Sequence, residues 1–347
     1  MSGPRNQILQ GDAVQRLGEL PAGWVDQIIT SPPYFRLRNY DADGQFGLED
    51  TVEDYVATLR ACVAAMRRVL APTGTLWLNL GDSYSLRPKD GAARKSLLGA
   101  PERLMLALIA DGWTLRNKII WAKTNPIPTS VADRLSTTHE VIYLLAAGPR
   151  YHFDLDAIRQ PHRTPPPTSK RRPRQPGRPG YPKRTRPGWL GPNGDGDDGL
   201  AALKARGAVG HPLGKNPGDV WQLSPSHFRG AHFATFPEAL VQPMIQAGCP
   251  RLRCSRCRAP YAHAVVRHDD TAERQPERPT CGCDSPPESG LVLDPFLGSG
   301  TTAVVAEAAG RDWLGIELNP RYIAMAQQRI TAARANNNSA PLKGGPS

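Results

Sequence analysis

The sequence has no apolar run long enough to cross a bilayer, and no apolar signal core follows Met1-Ser2-Gly3-Pro4-Arg5. Both absences lead to the expectation of a cytoplasmic protein with no membrane partner. Cysteine is scarce, six in 347 residues, which leaves too few for a disulfide framework. Five of the six nevertheless fall between Cys249 and Cys283, a clustering that favours metal binding over oxidation. Acid is also short: Asp plus Glu number 32 against 43 Lys plus Arg, a formal net charge of +11. That imbalance favours a polyanionic partner. Between residues 161 and 190 there is no acid at all, beside nine prolines and nine Lys or Arg. Such a segment cannot bury a core. It reads as a cationic, polyproline-like arm that holds a phosphate backbone through Lys170, Arg171, Arg172 and Arg174, or as a solvated linker.

What the chain does contain is an alternation of short apolar runs and helical stripes, the pattern of a mostly parallel α/β sheet. Val25 to Thr30 reads as a buried strand that Ser31-Pro32-Pro33-Tyr34 stops, because proline has no N–H and a fixed φ. Open α/β sheets bind ligands at the carboxyl ends of their strands. This turn offers the Ser31 hydroxyl, the Pro32 carbonyl and the Tyr34 ring. Two acceptors beside a flat ring suit a planar base with an exocyclic amine; the bland alternative is a stiffened turn with a core tyrosine. Asp12, just past an earlier strand, suits either a helix N-cap or an acceptor for a bound nucleoside. The long loop 35–50 carries Arg36 and Arg38, expected to contact phosphates. Val52, Tyr55, Val56, Leu59, Val63, Met66 and Leu70 mark one face of a helix, with Cys62 a small core residue. Strands are expected at Thr75–Leu80, before Gly81-Asp82, at Leu115–Ala122 and at Val141–Leu145.

Order returns near Asp219–Leu223, after the arm. Cys254-x-x-Cys257 and Cys281-x-Cys283 then fit a structural zinc knuckle, although the second pair has one intervening residue instead of two. Cys249, His263 and His268 are possible substitute ligands. A further strand leads into Asp294-Pro295-Phe296-Leu297-Gly298-Ser299-Gly300-Thr301-Thr302, and Glu317 ends the strand after that. The glycines allow close backbone approach to a ligand, and the strand-end acid suits ribose hydroxyls. Only about one strand remains after this loop, too few for a dinucleotide fold. A nucleoside cofactor without pyrophosphate, S-adenosylmethionine, fits better, with Asp294 facing its cationic amino acid portion.

Taken together, Ser31-Pro32-Pro33-Tyr34, Gly81-Asp82, Asp294-Pro295-Phe296-x-Gly298-x-Gly300 and Glu317 resemble the DNA amino-methyltransferases. The order, catalytic half first and cofactor half last, is similar to the permuted β group of that family, of the restriction-modification type. The resemblance covers about residues 1–150 and 219–333. It implies a Rossmann-like, seven-stranded, mostly parallel sheet of the class I methyltransferase fold. The implied organisation is a catalytic half (1–150), a target-recognition region (151–218) and a cofactor half (219–250 and 284–335). A zinc-ribbon-like insertion (251–283) and a disordered tail (336–347) complete it. It further implies that Asp12 bonds the adenine of S-adenosylmethionine and that Phe233 to Pro237, hence Phe236 and Pro237, line its pocket. The partner is duplex DNA with a flipped target base, alongside a possible cognate endonuclease. No Pro-Cys dipeptide exists to support carbon-5 methylation. Serine at the first motif position favours cytosine N4 as the target, with adenine N6 the alternative. A non-catalytic DNA-binding factor on the same scaffold is the alternative of another class.

Overall fold

The computed structural model describes residues 3–40, 42–162, 211–225, 236–268 and 271–339. Lys170, Arg171, Arg172 and Arg174, Phe233 and residues 340–347 lie outside the described residues. The chain divides into two compact units. The first comprises Met1–Ala157, Gly218–Ala262 and Glu277–Ser347; the second comprises Ile158–Pro217 and His263–Pro276. The expected catalytic and cofactor halves thus belong to one unit, whereas the expected 251–283 insertion is divided between the two.

Among the described residues, the main sheet of the first unit has eight strands: β1 (Gln7–Gln10), β2 (Val25–Thr30), β3 (Leu70–Leu80), β4 (Thr114–Lys123), β5 (His139–Ala146), β6 (Val220–Leu223), β7 (Leu291–Asp294) and β8 (Asp312–Glu317). Across the sheet they run β1-β8-β7-β2-β3-β5-β4-β6. Every adjacent pair is parallel except the two that β5 makes with β3 and β4. The expected count of seven is therefore corrected to eight. The extra strand is β6, which extends the edge beside β4, where Trp121 Nε1 donates to the Leu223 carbonyl at 3.0 Å.

Among the described residues, six α-helices accompany these strands: α1 (Ala13–Glu19), α2 (Val52–Val69), α3 (Ala100–Ala110), α4 (Glu238–Gly248), α5 (Thr301–Ala308) and α6 (Pro320–Ser339). Helix α2 starts where Thr51 Oγ1 accepts from the Asp54 amide and buries the stripe read from the sequence, Cys62 included, with Val56 only half-buried. It ends directly in β3, so the strand begins at Leu70 and runs through Pro72–Gly74, five residues earlier than the pattern suggested. Helix α6 continues to Ser339, so residues 336–339 are helical where a disordered tail was expected.

Strand β2 is buried along its whole length. Val25, Ile28 and Ile29 supply apolar area, each worth about 1.5–3 kcal/mol when fully buried. Its polar side chains are all tied to the last third of the chain. Gln27 Nε2 donates to the Met244 carbonyl at 2.7 Å. Thr30 Oγ1 donates to Asp294 Oδ1 at 2.7 Å. Asp26 accepts from Arg253 at 2.7 Å and from the Leu291 amide at 2.7 Å. Arg253 itself is wholly buried, also paired with Glu288 at 2.8 Å, and Trp24 lies beneath the guanidinia of Arg253 and Arg258.

In the second unit, Gln160 and Lys215 exchange backbone hydrogen bonds at 3.0 and 2.9 Å. Val265–His268 and Thr271–Arg274 form an antiparallel hairpin.

Candidate active site

The parallel pairing of β2 with β7, Val292 opposite Gln27 and Leu293 opposite Ile28, sets two strand tips side by side. The proline turn and the glycine loop consequently open into one cavity of about 290 Å³. Ser31, Pro32, Pro33 and Tyr34 line one part of it; Pro295, Phe296, Gly298, Ser299, Thr301 and Glu317 line another. Asp12, Phe236 and Arg38 are also at its wall.

On the β2 side the polar atoms form a connected set. Tyr34 Oη donates to Glu140 Oε2 at 2.6 Å and lies 3.1 Å from Ser31 Oγ. Asn79 Nδ2 lies 2.9 Å from Tyr34 Oη, 2.8 Å from Glu140 Oε2 and 3.3 Å from Ser31 Oγ. Lys123 Nζ holds the other Glu140 oxygen at 2.5 Å. Burial first, and then the Glu140 charge, push the Tyr34 phenol well above its ordinary pKa, so it stays a donor. The ring is backed by Gly81, where an added Cβ would lie 2.6 Å from Tyr34 Cε2. Neighbouring Asp82 points elsewhere and accepts from the Gly99 and Ala100 amides at the start of α3.

The β7 side works mainly through backbone. Gly298 and Gly300 adopt φ of 53° and 82°, a region that favours glycine. The Gly298 amide donates to Glu317 Oε2 at 2.8 Å and the Asn319 amide to Oε1 at 2.8 Å, which fixes the β8 carboxylate at the rim. Burial raises the Glu317 carboxyl above its ordinary pKa, against these bonds.

Several expected contacts are placed differently. Asp294 does not face the cavity: it is buried, and accepts from Thr30 Oγ1, from Thr302 Oγ1 at 2.7 Å and from the Phe296 amide at 3.1 Å. Desolvation raises its carboxyl to about 6, offset in part by those donors. Gly300, Thr302 and Pro237 are likewise absent from the cavity wall. Pro237 instead caps α4, and Gly300 packs on Ala326. Asp12 is an N-cap, accepting from Gln15 N at 2.8 Å, and it also lies on the cavity wall. The Arg36 guanidinium is taken up by Asp90 and by the Glu49 and Asp50 carbonyls, so a phosphate contact would have to break that set. Asn79, Lys123 and Glu140 were missed; each lies in a segment legible as a strand, but nothing local marks it as converging on Tyr34.

The four sulfur atoms of Cys254, Cys257, Cys281 and Cys283 all lie within 4.8 Å of one another. A tetrahedral zinc site with bonds of about 2.3 Å has edges near ~3.8 Å, so the set is of the right size and chemistry. Cys249 is buried at the end of α4 with Sγ 3.7 Å from the Pro250 carbonyl, and His263 Nδ1 lies 2.6 Å from the Gln275 carbonyl. Neither belongs to the cluster. The side chain of His268, the other possible substitute, lies outside the described residues.

Residues 25–328 match a family described as DNA methylase, whose members act on N6 or N4 amines. The chain is 33% identical to type II methyltransferase M.SmaI of Serratia marcescens over 349 residues, spanning 94% of this chain and 91% of that one. It is 31% identical to type II methyltransferase M.Cfr9I of Citrobacter freundii, spanning 95% and 89%. Among solved structures, the cytosine-N4-specific PvuII DNA methyltransferase aligns with a TM-score of 0.56 at 17% identity, over 96% of this chain and 93% of that one. A presumed DNA modification methylase of Thermus thermophilus, complexed with S-adenosyl-L-methionine, aligns with a TM-score of 0.51 at 19% identity, over 94% and 95%. The last two likenesses establish the fold. The chain belongs to the N6/N4 DNA methylase family and is a DNA methyltransferase of the restriction-modification type.

Proposed function

We propose that this protein transfers a methyl group from S-adenosylmethionine to the N4 amine of cytosine in duplex DNA. The observation that carries the reading is Ser31, a neutral acceptor held by Tyr34 and Asn79 on the wall of the shared cavity. In the resembling enzymes, serine at that position is commoner among those that methylate cytosine N4, and aspartate among those that methylate adenine N6. The target base must leave the helix to reach it. Ser31 Oγ and the Pro32 carbonyl would accept from the amine, drawing its lone pair out of conjugation, while the Tyr34 ring packs on the base. Bound against the glycine loop, S-adenosylmethionine would supply an electrophilic methyl group. Glu317 would hold its ribose, and Asp12 and Phe236 would border its adenine. Arg38 and the basic segment around Lys170–Arg174 would carry DNA phosphates. Cys254, Cys257, Cys281 and Cys283 would hold structural zinc, and a companion endonuclease would be the functional partner.

The test is transfer of labelled methyl to unmethylated DNA, followed by nucleoside analysis. N4-methylcytosine is expected, and Ser31→Ala should lose on the order of 10²–10³-fold in rate, as when a preorganised polar group is removed from a reacting centre. N6-methyladenine would overturn the choice of base. DNA binding without transfer by the wild type would favour the non-catalytic scaffold. Metal analysis of the intact chain should find one zinc, lost in Cys257→Ser.

A further inference from the structure

The chemistry leaves one proton to be disposed of. When the exocyclic nitrogen gains a methyl group it becomes cationic, and an N–H bond must break to restore the neutral amine. Ser31 Oγ can accept that proton only if it passes its own onward. The cavity contains a continuous path for doing so: Ser31 Oγ to Tyr34 Oη at 3.1 Å, and Tyr34 Oη to Glu140 Oε2 at 2.6 Å. We propose that Glu140 is the terminal proton acceptor of the methyl transfer, acting through Tyr34 and Ser31.

Three O–H bonds form and two break along this path. Ser31 takes the amine proton and gives its own to Tyr34, and the Tyr34 proton moves to Glu140. The amine thereby loses one proton and the carboxylate gains it, with both hydroxyls restored. The groups facing Glu140 come from three elements. Lys123 on β4 is its counter-charge at 2.5 Å, and Asn79 on β3 donates a hydrogen bond at 2.8 Å. Tyr34 at the tip of β2 is the third; its hydroxyl links the carboxylate to Ser31, and Tyr34 and Glu140 both line the cavity. Lys123 and Asn79 hold the Glu140 carboxylate turned towards that hydroxyl, as an acceptor awaiting a proton must be. The Glu140 side chain is 13% exposed and that of Lys123 is 23% exposed, so the carboxyl can return its proton to solvent between turnovers. In this relay Glu140 acts on the amine only through Tyr34 and Ser31, and is in that sense a positioning residue.

This relay rests on the amino-methyl transfer proposed above, but on neither choice of base. It is tested by single-turnover methyl transfer from labelled S-adenosylmethionine, measured in H2O and in D2O on the full chain, with cofactor and DNA binding measured separately. Glu140→Gln should lower the rate by about 10²-fold, the lower end for positioned proton transfer, while both affinities stay within about threefold. It should also remove the slowing that D2O causes in the wild type, which a merely structural loss would leave in place. Tyr34→Phe keeps the ring, deletes the relay hydroxyl and should lose the D2O effect in the same way; it serves if Glu140→Gln does not fold. A Glu140→Gln rate within threefold of wild type, or a reduced rate with an unchanged D2O effect, overturns the relay. Wild-type protein that transfers no methyl to DNA overturns the underlying function, and the relay with it.

Discussion

Two strand tips lie side by side in this molecule and use their residues in opposite ways. At the tip of β2, side chains face the cavity: Ser31 and Tyr34 present oxygen atoms to it and are tied to Asn79 and Glu140. At the tip of β7, the carboxylate turns inward to Thr30 and Thr302, and what faces the cavity is a glycine loop steadied by Glu317. The difference fits the tasks proposed for them. A group that must accept protons needs side-chain oxygen atoms with adjustable partners. A surface that must hug a ligand needs backbone, which only small residues leave bare.

The sharpest way to test this division is Gly81→Ala. The new Cβ would fall 2.6 Å from the Tyr34 ring, and overpacking of this kind costs about 1–3 kcal/mol. Methyl transfer should fall by roughly ten- to a hundredfold, while S-adenosylmethionine binding, measured by calorimetry, stays unchanged. If cofactor binding falls in parallel, the two tips are not independent. Glu317→Gln should do the converse with a smaller effect, weakening cofactor affinity about tenfold as one charge-assisted pair is lost. Ser31-dependent chemistry at saturating cofactor should survive.

The smallest effect concerns Asp294. Its carboxyl is raised to about 6 from 3.8 by burial. A raised carboxyl contributes stability that is complete below the unfolded value and is lost as pH climbs through the folded one. Between pH 4 and pH 6 the wild type should therefore lose stability relative to Asp294→Asn, as read from urea midpoints. Asp26, also raised to about 6 by burial, keeps part of the same slope in both proteins. Identical pH slopes in the two proteins would mean that Asp294 does not titrate where its burial puts it.

The two tips were legible in the sequence because proline and glycine act locally: Pro32-Pro33 stops a strand whatever lies around it, and Gly298 and Gly300 mark a loop. What each tip touches was not legible. Asp294 stands where a ligand-facing acid belongs, but Thr30, 264 residues away, turns it inward. Arg36 lies in a loop whose arginines read as phosphate contacts, and Asp90 claims it. Glu140 opens an apolar run that any reading makes a strand. Only the reversal of β5 against both neighbours puts the start of that strand, instead of its end, at the cavity edge. Direction is a property of the assembled sheet, and the periodicity of one segment does not carry it. The extra edge strand β6 escaped for the same reason, since four residues acquire their role only beside β4.

The bonds of β2 have a consequence for the growing polypeptide. Asp26 waits for Arg253, 227 positions downstream, and Thr30 waits for Asp294. At the ~5–20 residues per second of synthesis, roughly ten to fifty seconds separate the two ends of the Thr30 contact. Until then the ribosome has delivered the turn that carries Ser31 but not the strand that braces it. A nascent chain, or a product truncated before Asp294, therefore carries a β2 whose buried polar side chains lack their partners.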